Sequence, residues 1–276
     1  IINLKRVGME KKNGNHALAP VLTDYKYDFY EQPRISVIIP VYNEEKIIGR
    51  TLRYYTDEMK EEYNFELIVS DGGSKDKTVE IAEKYADKVV VHKSQRRQNI
   101  AQGRNRGAEA ASGDVLVFIN GDTRPDDPET FFKMIRQWMD EFDAEKSESA
   151  IACHVKSFPE ETTFKEDAFY SIHNFYVQLV NSLGFGMGRG ECQIIRRDIF
   201  RIVGGYDENI VAGEDFDLYR RINKISKVKF SKRLKVLESP RRFRKQGYIK
   251  TVFLWTINAV WVILFGRSIS KEWEAV

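Results

Sequence analysis

Short apolar runs alternate with segments of helical spacing from residue 35 to about residue 140. The first run, Ile35–Pro40 (ISVIIP), is almost continuously apolar, which is typical of a strand buried on both faces. Similar runs at 65–69, 89–91 and 115–119 are predicted to form three more strands. Strands that alternate with helices and short loops are joined by right-handed crossovers into a parallel sheet. We therefore predict an α/β fold with a doubly wound, mostly parallel sheet, whose ligands bind at the carboxyl ends of the strands.

The predicted helices carry apolar residues at helical spacing among charged residues. After residue 150 the alternation becomes less regular. Helices are predicted over 44–63, over 98–111, over 164–182, and from a cap at Ser74 or Asp76 to about residue 85. Two further helices are predicted to begin at Pro128 and near Glu214, and a strand is predicted over 150–155.

The composition shows no strong charge preference. The 44 basic and 41 acidic side chains among 276 residues leave a net charge of +3, so overall charge does not indicate a nucleic acid partner. Cys153 and Cys192 are too few and too far apart in sequence for a disulfide framework or a zinc site. We expect both to be buried free thiols, which suits a reducing compartment.

Three regions are predicted along the chain. A polar N-terminal extension covers 1–33, one domain covers 34–240, and a basic and apolar helical segment covers 241–276. Within the domain we expect two halves, over 34–125 and over 126–240. The first 30 or so residues contain no apolar run of signal-peptide length, so a cytoplasmic location is expected.

A carboxylate and two glycines follow the second predicted strand, at Asp71, Gly72 and Gly73. Glycines in such a turn let the backbone approach a ligand closely. An equally simple interpretation is that Asp71 only caps the turn.

Acidic residues also follow the fourth predicted strand. The loop reads Asn120-Gly121-Asp122, and Asp126 and Asp127 precede the proline of the next helix. A hard divalent cation bound there would take oxygen ligands and bridge phosphate oxygens. The alternative is a solvated acidic turn, although two carboxylates at the ends of two different strands are what a nucleoside diphosphate site needs.

A third acidic feature is the pair Glu214 and Asp215, which lies at the start of the helix predicted near residue 214. Acidic residues in the first helical turn often serve only to complement the helix dipole. Taken alone, this pair is therefore weak evidence for catalysis.

These motifs together resemble the family 2 glycosyltransferases of the GT-A fold over about residues 35–238. The resemblance lies in their identity, order and spacing. The matching segments are SVIIPVYNE at 36–44, the Asp71 turn, GRNRGA at 103–108, SGD at 112–114, the Asp122 loop and the Glu214-Asp215 pair.

The resemblance implies an inverting transferase that uses a nucleotide-sugar donor. We expect 34–125 to be its nucleotide-binding half and 126–240 its acceptor half. The resemblance also implies that Asp71 accepts a hydrogen bond from the base, that Asp122 is the metal carboxylate and that Asp215 is the catalytic base. Glu214 is expected to bind the acceptor or to support Asp215. The expected donor-binding residues are Pro40, Val41, Tyr42, Glu44, Asp71, Gly72, Arg104, Asn120, Gly121 and Asp122, with Arg241 and Arg242 as further candidates.

One position departs from the family pattern, because its Asp-x-Asp metal motif is Asn120-Gly121-Asp122 here. An amide is neutral but still offers a carbonyl oxygen. The final Asp is usually the direct metal ligand in the family, so we expect a site for Mn²⁺ or Mg²⁺ with less negative charge.

Negative charge grows on the leaving diphosphate during glycosyl transfer and needs a cation nearby. A divalent metal at Asp122 could meet it, assisted by Arg96, Arg97, Arg104 or the basic cluster 241–245. The alternative for the basic cluster is a solvated or membrane-facing surface.

Asp215 is expected to remove the proton of an acceptor hydroxyl during a single displacement. A polyprenyl phosphate acceptor, the alternative within this fold, is already anionic and needs no base. The expected acceptor is accordingly a carbohydrate or a lipid-linked molecule.

The segment Thr251–Phe265 (TVFLWTINAVWVILF) is apolar nearly all round. Fifteen residues fall short of the roughly 20 that span a bilayer. The flanking Lys250, Arg267 and Lys271 and nearby tryptophans such as Trp273 favour an interfacial membrane helix over 248–267. A helix packed on the domain or in a homodimer is the alternative.

Two other classes of protein fit less well. A sugar nucleotidyltransferase should have a longer glycine-rich loop after the first strand, and a nucleic-acid-binding module should have more aromatic residues near 241–245. A nucleotide-sugar-binding protein without catalysis is a further alternative, and the sequence does not choose among UDP-, GDP- and dTDP-sugars. We expect core or surface roles for His154, His173, Arg189 and Glu191.

Overall fold

The computed structural model describes residues 35–94, 97–141 and 148–270. The N-terminal extension, Arg96, Lys271 and Trp273 therefore lie outside the described residues. Within this part of the chain the strands are β1 (Ile35–Val41), β2 (Phe65–Asp71), β3 (Lys88–Val91), β4 (Val115–Ile119), β5 (Thr123–Pro125), β6 (Glu148–Ser157), β7 (Cys192–Arg196) and β8 (Lys227–Glu238).

Helices cover both faces of the sheet. They are α1 (Ile48–Leu52), α2 (Asp57–Tyr63), α3 (Thr78–Ala82), α4 (Ile100–Ala110), α5 (Pro128–Asp140), α6 (Phe164–Ser182), α7 (Arg197–Ile202), α8 (Glu214–Ile222), α9 (Arg241–Gln246) and α10 (Tyr248–Phe265), with a 3-10 turn at Pro159–Glu161.

The strands form one sheet in the order β3-β2-β1-β4-β7-β6-β8-β5. The first four strands of this order are parallel, as predicted. The second half is mixed, because β7 is antiparallel to both β4 and β6, β8 is parallel to β6, and β5 is antiparallel to β8. The α/β prediction is thus confirmed, with parallel pairing concentrated in the first half.

The sheet must curl, because β4 and β5 are close in sequence but four positions apart in the strand order. Four strand spacings in a flat sheet would separate them by about 19 Å. The four residue steps from Ile119 to Thr123 reach at most about 14 Å. Curling brings the last two strands of the order towards the carboxyl end of β4, and the loop 120–122 lies between these two parts of the sheet.

The first strand is buried on both faces, as its composition predicts. Ile35, Val37 and Ile39 pack into the apolar core on one face, and Ile38 packs into a second core on the other. The polar member of the run, Ser36, donates to Glu66 Oε1 at 2.7 Å. Because β1 is entirely internal, the position of its carboxyl end is fixed.

Two helix predictions were wrong in their extent. The predicted helix over 44–63 is broken into α1 and α2, because the Thr56 hydroxyl accepts from Met59 N and starts a new helix. The predicted helix up to residue 85 is only α3. Asp76 lies before it and accepts from Thr78 N at 3.0 Å.

The two cysteines are buried and free, as predicted. They are neighbours in space, however, with their sulfur atoms 3.4 Å apart. The antiparallel pairing of β6 with β7 brings Cys153 opposite Cys192. Separation along the sequence could not show this proximity.

Candidate active site

A cleft of about 760 Å³ opens at the carboxyl ends of β1 and β4. It extends from the loops after these strands to the start of α8 and to α9 and α10. The predicted site residues that line it are Pro40, Val41, Tyr42, Glu44, Gly72, Arg104, Asn120, Gly121, Asp122, Glu214, Asp215, Arg241 and Arg242.

The loops after β1 and β2 are joined by hydrogen bonds. Asn43 adopts the left-handed conformation with φ of 54°, which turns the chain sharply after β1. Its backbone N–H donates to Ser74 Oγ at 2.8 Å, and its Oδ1 accepts from Lys75 N at 2.8 Å. This turn brings Glu44 to the cleft wall.

Asp71 does not line the cleft, although its neighbours Ser70 and Gly72 do. Its carboxylate is fully buried and accepts from Gly73 N at 2.9 Å and Ser74 N at 3.0 Å. These are the contacts of a turn cap, the alternative interpretation of this residue. A contact between Asp71 and the nucleotide stays a prediction.

The loop 120–122 presents Asp122 to the cleft beside Glu44. Arg241 Nη2 lies 3.3 Å from Asp122 Oδ2 and 3.2 Å from Glu44 Oε1, so one guanidinium joins both carboxylates. Burial raises the pKa of Glu44; Arg241 opposes this shift and Asp122 adds to it. The basic segment after β8 therefore reaches the predicted metal loop.

Arg104 of α4 is a buried cation of the cleft. It donates to Glu214 Oε1 at 2.7 Å, to Gly190 O at 2.7 Å and to Asn120 Oδ1 at 3.1 Å. A guanidinium has only donors, so the amide oxygen of Asn120 must be the atom that faces it. Arg104 therefore uses one of the two acceptor positions on the carbonyl oxygen that the sequence offers for a metal.

Glu214 and Asp215 form the first turn of α8, as predicted, and both line the cleft. Asp215 Oδ1 accepts from Phe216 N at 2.8 Å. Burial and the adjacent Glu214 carboxylate raise the pKa of Asp215 to about 7, although Arg104 opposes the shift. A carboxylate with such a pKa can take up a proton near neutral pH.

A buried ionic cluster forms another part of the cleft wall, and Glu238 in it was not found from the sequence. Arg189 Nη2 lies 3.0 Å from Glu191 Oε1 and 3.8 Å from Glu238 Oε1. Burial opposes ionisation, but Arg189 lowers the pKa of Glu191 to about 2, while burial and Glu191 raise that of Glu238. Arg189, Glu191 and His173 line the cleft, whereas His154 lies outside it.

Gln98 is another cleft residue that sequence reasoning missed. It is 6% exposed, and neither its Nε2 nor its Oε1 has a hydrogen-bond partner among the described residues. Buried amides are normally paired, so an unpaired one facing a cleft suggests a ligand contact. No motif marks it, because it lies in the loop before α4.

The family comparison agrees with the resemblance read from the motifs. A family profile described as Glycosyl transferase family 2 matches residues 36–204. A glycosyltransferase of Haloferax volcanii, AglE, is 38% identical over 96 residues, which cover 34% of this chain and 32% of the relative. The O-antigen biosynthesis protein RfbC of Myxococcus xanthus is 25% identical over 226 residues, covering 74% of this chain and 17% of the relative. The chain thus matches about a third of the first relative's length and less of the second's.

Solved structures share the fold. The mannosyltransferase PcManGT of Pyrobaculum calidifontis, in complex with GDP-Man and Mn²⁺, superposes with a TM-score of 0.61 at 19% identity, over 84% of this chain and 63% of that one. S. aureus TarS 1-349 in complex with UDP-GlcNAc gives a TM-score of 0.52 at 20% identity, over 72% of this chain and 56% of that one. The predicted GT-A type α/β fold is confirmed.

Proposed function

Because this chain belongs to glycosyl transferase family 2, we propose that it transfers a sugar from a nucleoside-diphosphate donor to an acceptor hydroxyl with inversion. The observation that carries the proposal is the placement of Asp122 and Asp215 on one cleft, linked through Asn120, Arg104 and Glu214. A cation-binding carboxylate and a proton acceptor are the two groups that such a displacement requires.

The nucleotide is proposed to bind at the end of the cleft formed by Pro40–Glu44 and Gly72. The neighbours described above hold GDP-Man and UDP-GlcNAc, which supports a UDP-, GDP- or dTDP-sugar as the donor. The unpaired amide of Gln98 offers one donor and one acceptor face, as a nucleobase edge requires. We propose that it contacts the base.

The residues at Asp122 fit a divalent cation such as Mn²⁺ or Mg²⁺. The described residues contain no cluster of three His, Cys, Asp or Glu that could hold a metal by themselves. Mg²⁺ is commonly held by one or two carboxylates with substrate phosphates, and Asp122 and Glu44 share one cationic partner already. A metal bound there would neutralise charge on the diphosphate.

The proposed chemical step uses the chain's own side chains as follows. Asp215 takes the proton of the acceptor hydroxyl while the acceptor oxygen forms a bond to the anomeric carbon and the bond to the diphosphate oxygen breaks. Arg241 and Arg242 line the same cleft and can pair with the leaving diphosphate. Arg104 holds Glu214 in place beside Asp215.

The test is a screen of UDP-, GDP- and dTDP-sugars by thermal shift and turnover, with and without Mn²⁺. Asp215→Asn should lower kcat on a hydroxyl acceptor by roughly 10²- to 10⁴-fold, while donor binding persists. Asp126→Asn, in an exposed position of the following loop, is the matched control and should leave the rate unchanged.

Four results would count against the proposal. No response to any donor would remove the donor assignment, and donor binding without slow sugar hydrolysis would indicate a binding protein. If Asp215→Asn kept a near full rate on a hydroxyl acceptor, Asp215 would be excluded as the catalytic base. If Asp215→Asn left the transfer rate to a polyprenyl phosphate acceptor unchanged, that alternative acceptor would be supported.

A further inference from the structure

Two polar residues of helix α10 lie inside, and most of its large apolar residues lie outside. Thr251 and Asn258 are buried, and Asn258 Nδ2 donates to Ser270 Oγ at 2.9 Å. Phe253 and Ile263, by contrast, are 61% and 51% exposed. Of the 18 residues of this apolar helix, 17% are buried. A helix facing water has the opposite arrangement.

Helix α6 carries a second exposed apolar face. Ile172, Phe175, Tyr176 and Leu179 follow helical spacing on its outer side and are 44–70% exposed. Residues 168–188, which include this face, contain no Asp, Glu, Lys or Arg. An exposed apolar stripe without charges marks an interaction surface.

Ring contacts connect these two faces. The His173 ring lies 6.4 Å from the Tyr176 ring on α6 and 5.4 Å from the Trp255 ring on α10. Phe169 and Tyr248 add a contact of 5.0 Å between the helices. Burial lowers the pKa of His173 to about 3, so this ring is uncharged at neutral pH. We call the outer faces of α6 and α10 together the α6–α10 surface.

The same junction forms one end of the cleft. His173, Trp255 and Asn258 line the cleft together with Asp215. The α6–α10 surface is therefore the outer side of elements whose inner side bounds the candidate active site.

Charge around the α6–α10 surface favours an anionic partner. Residues 241–270 contain six basic residues and no acidic one. Of these, Arg241 and Arg242 line the cleft and Arg244 lies 3.2 Å from Glu166. Lys245, Lys250 and Arg267 are exposed near the ends of α9 and α10. Basic residues flanking an apolar face match the headgroups and acyl chains of an anionic bilayer.

We propose that the α6–α10 surface docks on an anionic lipid bilayer and holds the acceptor end of the cleft at the membrane surface. The inner face of α10 packs against α8 and α9, so the helix lies along the protein and only its outer face can enter the bilayer. Docking does not depend on the transferase activity proposed above.

Flotation of the full chain with vesicles of phosphatidylcholine and phosphatidylglycerol tests this proposal. The wild type should float with anionic vesicles and bind pure phosphatidylcholine more weakly. Phe175→Ser/Leu179→Ser on α6 and Phe253→Ser/Ile263→Ser on α10 should each lower the bound fraction about tenfold or more, since each removes two large apolar groups. Ile202→Ser/Ile225→Ser, which changes exposed apolar residues outside both helices, is the matched control and should bind as wild type.

Two outcomes would overturn docking. One is equal flotation of the wild type and both α6 and α10 variants. The other is a lipid-free dimer that these variants convert to monomer, because the surface would then bind a second copy of the chain. Donor binding by thermal shift, measured on the same samples, separates a failure of docking from a failure of the proposed function.

Discussion

Two polar side chains in the cleft are held in states that cost free energy without a ligand. The Gln98 amide is buried without a partner among the described residues. Asp215 is held beside Glu214 in surroundings that disfavour its ionised form. Such costs are typical of residues selected for binding or catalysis, because a packed core would avoid them.

Replacement of Gln98 should separate stability from binding. Gln98→Met removes an unpaired buried amide at similar volume, so it should stabilise the fold by about 1 kcal/mol. Nucleotide affinity should fall about tenfold, since a base contact is lost. Thermal unfolding and isothermal titration with UDP and GDP measure the two effects. The control is Gln137→Met, in an exposed position on α5, which should change neither stability nor nucleotide affinity. Unchanged affinity in Gln98→Met would exclude a contact between Gln98 and the base.

Asp215 should make stability depend on pH. Its pKa is raised from 3.8 to about 7 in the folded state, so the folded chain binds more protons than the unfolded chain between these values. Wild-type stability therefore falls as pH rises through this window, whereas Asp215→Asn avoids that loss. We expect the variant's Tm to exceed that of the wild type by roughly 10 °C at pH 8 and to match it near pH 4, measured by scanning fluorimetry. A Tm difference that is the same at both pH values would contradict the raised pKa.

At the scale of elements, Arg104 holds together three parts of the chain. It projects from α4 and donates to the loop after β4, to the segment before β7 and to the first turn of α8. The Arg104–Glu214 pair joins positions 110 residues apart and is nearly excluded from solvent. The acidic pair of α8 depends on this contact for its position.

Loss of Arg104 should accordingly destabilise the whole domain. Arg104→Met leaves Glu214 buried without its cation, which should cost roughly 3–5 kcal/mol. Urea unfolding measures this cost. Arg106→Met, an exposed change on the same helix, should cost less than about 0.5 kcal/mol. Adding Glu214→Gln to Arg104→Met should recover part of the lost free energy of unfolding. If it recovers none, the Arg104–Glu214 ion pair does not explain the loss.

At the scale of the molecule, the curled sheet brings the first and last parts of the chain to one cleft. Glu44, which follows β1, and Arg241, which follows β8, are 197 residues apart and form an ion pair. The cation that we propose at Asp122 would bind between these parts. Donor and metal binding should therefore stabilise the fold as a unit.

The metal can be tested by its effect on stability. A nucleoside diphosphate at about 100 times its Kd should stabilise the wild type by about 2.7 kcal/mol, and Mn²⁺ should increase this effect. Asp122→Ala should abolish the Mn²⁺ increment, while Asp126→Ala keeps it. EDTA should return the wild type to its metal-free Tm. An increment that persists in Asp122→Ala would place the metal elsewhere.

Local sequence determined most of the strands and helices, although not the ends of two helices, and the positions of the candidate residues along the chain. The apolar run at 35–40 specifies a doubly buried strand, and the pattern at 164–182 specifies α6, because burial of apolar periodicity needs only near neighbours in sequence. The motifs also indicated the family. Tertiary structure alone decided which side chains meet: Asn120 with Arg104, Arg241 with Asp122, and Cys153 with Cys192. These contacts join residues distant in sequence through sheet order, register and curl, none of which a local pattern encodes.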